Sequence, residues 1–244
     1  MQLKVTFNVN KPVSLPLGHH AAIQGMIYNL LGRSSDYSDF LHDIGYRNGA
    51  HSFKLFVYST LMGPHTINNG RIIFDSNIRL EIRSPKSEFC NILLDTLQNV
   101  STVKLHHQQL FISECSFSKK SISTDSVNIR MLSPLTLSTT YYEEDKKKTH
   151  YISPSEPGFG EALQKNTANK YKAAYNEDLN NNISLEITSL TDEDRYVTKF
   201  NNRIYINGWN GTYKLSAAPE VLSFLYDSGL GSRNSQGFGM FEPF

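Results

Sequence analysis

The chain has 244 residues, 39% of them hydrophobic and 19% charged, with a formal net charge of +1. That length holds one large domain or two of ordinary size, and no apolar run approaches the ~20 residues of a membrane-spanning helix. Near-neutral charge argues against a tight, non-specific nucleic-acid binder. The only two cysteines, Cys90 and Cys115, lie in apolar patterns, which excludes a disulfide framework or a cysteine-built zinc module. Charge is unevenly spread: residues 1–122 carry 12 Lys+Arg against 8 Asp+Glu, and residues 123–244 carry 12 against 15. Any contact with a polyanion therefore has to use a local basic surface.

Residues 2–8 alternate as a strand, with Leu3, Val5 and Phe7 on one face, and show no secretory apolar core. A cytoplasmic protein is expected. A helix is predicted from Gly18 to Leu31, with Ile23, Met26, Ile27, Leu30 and Leu31 as its stripe and Gly32 as its stop. At about 100° per residue, Tyr28 points roughly 140° from Ile23. Ala21, Gly25 and Gly32 fall near it, forming a bald strip that another backbone could approach. A second helical turn or two starts near Ser34/Ser35, with Tyr37, Phe40, Leu41 and Ile44 inward and His42 off the stripe. Residues 53–61 read as a strand with Lys54 at its start. A hairpin over 71–75 and 77–83, a helix over 85–98 and strands at 102–105 and 109–117 complete a β-α-β-β-α-β order, which is ferredoxin-like.

Residues 118–126 are polar and serine-rich and mark a boundary, giving domains 1–122 and 123–244. Strands are predicted at 127–132 and 135–142, before a charged hairpin tip or disordered bulge at Glu143–Lys148. A helix over 158–176 carries Lys165 and Lys172 on one face. Strands at 183–190, 195–200, 203–207 and 212–216 and a helix at 219–227 make a second β-α-β-β-α-β pass with extra strands. The expected class is α+β, two tandem ferredoxin-like domains.

The last sixteen residues hold two Gly-apolar-Gly units, Gly229-Leu230-Gly231 and Gly237-Phe238-Gly239, separated by Ser232, Arg233, Asn234, Ser235 and Gln236. Glycine permits positive φ and close backbone approach, and unpaired peptide N–H groups in such a loop can cradle an anion. Arg233 adds a charge suited to phosphate. The spacing is not that of a dinucleotide fold or a P-loop.

Cleaving RNA without a metal needs a base for the 2′-hydroxyl, an acid for the 5′-oxygen and a cation for the charge gathering on phosphorus. Tyr28, His42 and Lys54 have suitable identities, and the two helical ones project off buried stripes. His51 rivals His42, and His19 and His20 are weaker rivals. His106-His107 lack a partner at metal-ligand spacing, and Trp209 reads as core.

The terminal glycine pattern resembles the signature of the CRISPR repeat-processing endoribonucleases, the Cas-six family of the RAMP superfamily. Residues 204–209 (Ile-Tyr-Ile-Asn-Gly-Trp), Lys214-Leu215 and residues 219–226 resemble the same family. So do residues 24–30 around Tyr28, Phe40-Leu41-His42-Asp43, and Lys54 ahead of Leu55-Phe56-Val57-Tyr58-Ser59. The resemblance covers both ends of the chain, and the middle matches less closely. It implies a metal-independent endoribonuclease without cofactor, with Tyr28, His42 and Lys54 catalytic. RNA contacts would fall to Gly229, Gly231, Arg233, Asn234, Ser235, Gly237 and Gly239; apart from the resemblance, Lys165 and Lys172 are read as RNA contacts because they share one helix face. The implied partners are precursor CRISPR repeat RNA and other subunits of a CRISPR effector complex, around a monomer or homodimer. Two rival readings are a non-catalytic RAMP subunit that only holds guide RNA, and a glycine-loop nucleotide-binding protein.

Overall fold

The computed structural model of the chain describes residues 1–32, 35–200 and 204–244. Leu3, Val5 and Phe7 are at most 1% exposed, so the strand Gln2–Asn8 sits deep in the first half. It pairs antiparallel with Ile78–Arg83 on one edge and Gln108–Ser118 on the other. The full sheet runs in the order Val57–Tyr58, Ile78–Arg83, Gln2–Asn8, Gln108–Ser118 and Thr102–Leu105. Helix α1 (His20–Leu31) packs Ile23, Met26, Ile27 and Leu31 onto it, α2 (Ser35–Asp39) adds Tyr37, and α3 (Ser87–Gln98) adds Phe89, Leu93 and Leu97. Each such side chain contributes about 1.5–3 kcal/mol on burial.

The second half repeats this plan. Its sheet runs Ser184–Ser189, Thr212–Ser216, Ser126–Met131 and Phe241–Pro243. Helices α4 (Phe159–Tyr175) and α5 (Pro219–Ser228) bury Leu163, Val221, Leu222 and Leu225 in a core with Ile129, Tyr213 and Leu215. In both sheets the four ferredoxin strands stand in the order second, third, first, fourth. The molecule is thus α+β with two tandem ferredoxin-like units, as the element order predicted. Residues 119–125 connect the sheets, and Ile122 packs into the second core. Among the described residues, no helix is long and apolar enough to cross a membrane.

Several local expectations are corrected. Within 53–61, Phe53 ends the short strand His51–Phe53, and only Val57–Tyr58 pairs with the main sheet. Leu55 takes φ 51 and buries its side chain in the second core, so the chain turns there and Lys54 precedes the strand. The hairpin over 71–75 and 77–83 does not form. Arg71–Phe74 pairs instead with His65–Asn68 and Val13–Pro16 in a separate three-stranded sheet. The deciding signal is Asn69-Gly70, both at positive φ (49° and 70°), which closes the His65–Asn68 hairpin. Leu135 makes only an isolated bridge to Trp209, and the strand predicted from 135 begins at Ser138. Ile44, expected inward, is 47% exposed. Ser34 and Arg203, at two predicted element starts, lie outside the described residues.

Candidate active site

Tyr28 projects from α1 off the buried stripe, half-buried at the edge of the first core. Its ring meets His42 edge-on, with centroids 5.9 Å apart, and Phe56 at 6.0 Å. Burial pushes the Tyr28 hydroxyl up to about 12, so at neutral pH it is a phenol that donates.

His42 comes from the turn after α2. Residues Phe40–Ile44 form a π-helical turn, closed by Gly45 N–H donating to the Phe40 carbonyl at 2.7 Å. Such turns hold one residue more than an α-turn and concentrate at functional sites. Leu41 is buried while the His42 side chain is 74% exposed. His42 Nδ1 lies 2.7 Å from Asp43 Oδ1. A carboxylate can only accept, so Nδ1 carries the proton and Nε2 is the nitrogen left for a substrate.

Lys54 closes the group. Its Nζ donates to the His42 carbonyl at 2.9 Å. Partial burial lowers the amine's affinity for its proton, Asp43 raises it, and Arg47 lowers it. The short hairpin of Tyr46–Asn48 and His51–Phe53 returns the chain from His42 to Lys54. His42 thus joins the three residues, its ring meeting the Tyr28 ring and its carbonyl accepting from the Lys54 amine, although they lie on different elements.

The rival histidines make none of these contacts. His51 is on the exposed hairpin, its ring near Phe53 at 6.4 Å. His20 is buried, stacked on Phe238 at 4.8 Å and bonded through Nε2 to the Tyr196 hydroxyl at 3.0 Å. Burial lowers it to about 3. His19 is buried and bonded to the Pro16 carbonyl.

The terminal loop faces Lys54 across a cleft of about 300 Å³, with Gly231 the one of its four glycines that lines it. Its walls include Lys54, Asn166, Ser232, Arg233, Ser235 and Gln236. Gly229, Gly231, Gly237 and Gly239 all have positive φ and all are buried. A β-carbon on Gly237 would stand 2.5 Å from the Tyr58 ring, and one on Gly239 would overlap the Leu230 carbonyl oxygen. The amides of Leu230, Gly237 and Gly239 donate to the carbonyls of Gly239, Asn234 and Pro134. Those three amides are therefore spent within the protein: the glycines form the spine of the loop, and Ser232, Arg233, Ser235 and Gln236 are half-buried on its cleft side. Asn234 also turns inward, its Nδ2 donating to the Leu230 and Phe238 carbonyls at 2.8 and 3.0 Å.

The bald strip of α1 is half covered. Ala21 packs against the cluster containing Phe238, and Gln24 Nε2 donates to the Ser235 carbonyl at 2.7 Å. A β-carbon added to Gly25 would meet nothing within 4 Å, so beside Tyr28 the helix surface stays open. Lys165 lines a groove with His51, Ser52, Asn166 and Asn169 that shares Ser52, Phe53 and Asn166 with the cleft. Lys172 does not join it, because Asp178 Oδ1 holds its amine at 2.7 Å.

Two residues escape a reading of the sequence. Asp43 is adjacent to His42, and its partnership needs the π turn to be visible. Lys170 occupies a position on the buried stripe of α4 with Phe159, Leu163, Thr167 and Ala174. A lysine in an apolar stripe is the signal that could have found it. Among the described residues, no group of three or more His, Cys, Asp or Glu is arranged to hold a metal ion.

A family model described as CRISPR associated protein Cas6, C-terminal, matches residues 117–243. The chain is 25% identical over 243 residues to CRISPR-associated endoribonuclease Cas6 1 of Methanocaldococcus jannaschii, covering 98% of this chain and 91% of that one. It is 27% identical over 260 residues to Cas6 2 of the same organism, covering 100% and 99%. A solved structure of a Cas6-related protein from Pyrococcus furiosus is similar with a TM-score of 0.86 at 18% identity, covering 100% and 98% of the two chains. That last likeness concerns the fold.

Proposed function

The chain belongs to the Cas6 family, and from that premise we propose that it is an endoribonuclease that cuts CRISPR precursor RNA within its repeats to release guide RNAs. The observation that carries the reading is the meeting of Tyr28, His42 and Lys54 beside a cleft rimmed by Arg233. The relatives' names support the activity and its RNA substrate.

The step proposed is an internal transesterification. The 2′-oxygen of the scissile nucleotide attacks phosphorus, the bond to the 5′-oxygen breaks, and the products end in a 2′,3′-cyclic phosphate and a 5′-hydroxyl. Two role orders stand open for the phenol and the imidazole, and the raised Tyr28 hydroxyl favours one of them. His42 Nε2 takes the 2′-hydroxyl proton, with Asp43 holding the ring through Nδ1. Tyr28 gives its proton to the departing 5′-oxygen. Lys54 turns from the His42 carbonyl toward the non-bridging oxygens as their charge grows. Ser232, Arg233 and Ser235 hold the flanking phosphates. These groups supply the base, acid and cation that a metal-independent reaction requires.

Repeat RNA with a single 2′-deoxy nucleotide at the cut site tests this chemistry, with EDTA present throughout. The all-ribose RNA is expected to be cut to a cyclic phosphate, and the 2′-deoxy RNA to bind uncut. Cleavage of the 2′-deoxy RNA contradicts the nucleophile, and activity lost to EDTA contradicts the metal-independent scheme. Binding without cleavage of all-ribose RNA returns the chain to the non-catalytic RAMP reading.

A further inference from the structure

Lys170 is 1% exposed, yet its ammonium reaches no carboxylate within ion-pair distance among the described residues. Its partners are three neutral oxygens: Gly229 O at 2.5 Å, Asn234 Oδ1 at 2.9 Å and Gly231 O at 3.3 Å. All three belong to one turn of the terminal glycine loop. The three N–H bonds of an ammonium match three acceptors, so Lys170 acts there as a fixed cation would. Asn234 spends its Nδ2 on the Leu230 and Phe238 carbonyls, so the same centre ties the outgoing and returning limbs of the loop.

Lys170 also lies in the wall of the cleft that Lys54 and Arg233 share. The charged groups lining that cleft are all cations: Lys54, Lys170 and Arg233. A buried, unpaired positive charge is costly unless dipoles or an anion compensate it. Here the protein supplies only dipoles. Burial draws the Lys170 amine down to about 7; hydrogen bonds to its charged form favour that form.

We propose that Lys170 is a positioning residue for the RNA: its ammonium templates the Gly229–Asn234 turn from within and puts uncompensated positive charge beneath the Ser232–Ser235 rim, where a phosphate of the bound strand docks. The residue touches no reacting atom and acts through the loop. The inference rests on the cleavage reading above, because it needs an RNA strand in this cleft.

The test uses full-length Lys170→Met, Lys170→Gln and Lys170→Arg, with thermal melts to establish folding. Lys170→Met and Lys170→Gln are expected to raise KM for repeat RNA roughly tenfold or more, with the single-turnover rate at saturating protein kept within about threefold. Lys170→Arg keeps the charge and is expected to restore KM to within about threefold of the natural chain. If Lys170→Met does not fold, Lys170→Gln decides, since it retains N–H donors without charge. Unchanged KM in a folded Lys170→Met or Lys170→Gln overturns the proposal, as does a loss confined to the saturated rate. Failure of the natural chain to cut the RNA would instead overturn the cleavage reading, so the two failures are distinct.

Discussion

At Gly45 the backbone takes φ 66 and ψ −172, a region open in practice only to glycine. A β-carbon there would stand 2.7 Å from the Phe53 carbonyl oxygen and 3.1 Å from Lys54 Cδ. Gly45 thus lets the end of the π turn lie against the segment that delivers Lys54, and Ser52 Oγ donates to the Ile44 carbonyl beside it at 2.6 Å. Gly45→Ala is expected to lose about 1–3 kcal/mol of stability in urea melts. Displacing Lys54 from His42 should also slow single-turnover cleavage on the order of 10²-fold. Of these residues, Tyr28 is legible in the sequence because helical periodicity shows it leaving the apolar stripe of α1, whereas His42 sits in a π turn that breaks that periodicity. Lys54 is legible mainly through family resemblance, since the strand it was expected to begin starts only at Val57. Asp43 and Gly45 are not legible, because a π turn has no periodic signature at five residues.

At the scale of elements, the glycine loop is held from both domains. Gly237 lies against His20 and Tyr58, the Tyr58 hydroxyl donates to the His20 carbonyl at 2.9 Å, and Phe238 stacks on the His20 ring. His20 must stay neutral in this setting, which gives the fold a definite acid response. Its folded value is about 3 against an ordinary 6.5, so the unfolded chain takes the proton first as pH falls. Stability from this group is complete above 6.5 and is lost as pH falls from 6.5 toward 3. By pH 5 the loss is about 2 kcal/mol, and His19, lowered in the same direction, adds to it. Urea melts at pH 7 and pH 5 should show this loss, and His20→Phe should remove most of it. The loop is legible as a loop from its four glycines, but their task is not. Composition reveals where positive φ is needed and not whether the amides beside it face outward. The Asn69-Gly70 turn is legible in principle. It is masked because the apolar runs on either side of Asp75-Ser76-Asn77 read as partners while belonging to different sheets.

At the scale of the molecule, the two ferredoxin-like halves meet around a fully buried Arg83. It donates to the Phe241 carbonyl at 2.6 Å, to Glu242 at 2.7 Å and to Glu81 at 3.1 Å, and lies 3.8 Å over the Tyr226 ring. Arg83 and Glu81 come from the first sheet, Glu242 and Phe241 from the last strand of the second. Arg83→Met removes the buried cation that Glu81 and Glu242 share, leaving Glu242 with Lys120 at 3.1 Å and Glu81 with Lys4 at 3.5 Å, and is expected to cost about 3 kcal/mol, read as a lowered midpoint in chemical denaturation. The duplicated topology is legible because each half spells the same element order. This junction is not, because an arginine at the end of a strand carries no mark of burial. In the proposed reaction the junction joins the two parts of the site, since Tyr28, His42 and Lys54 lie in the first half and the rim with Arg233 in the second. The most direct test of that shared centre is single-turnover cleavage of repeat RNA by His42→Ala. The rate is expected to fall by about 10²–10⁴-fold while RNA affinity stays within about threefold of the natural chain. An unchanged rate in a folded, RNA-binding His42→Ala would contradict the account.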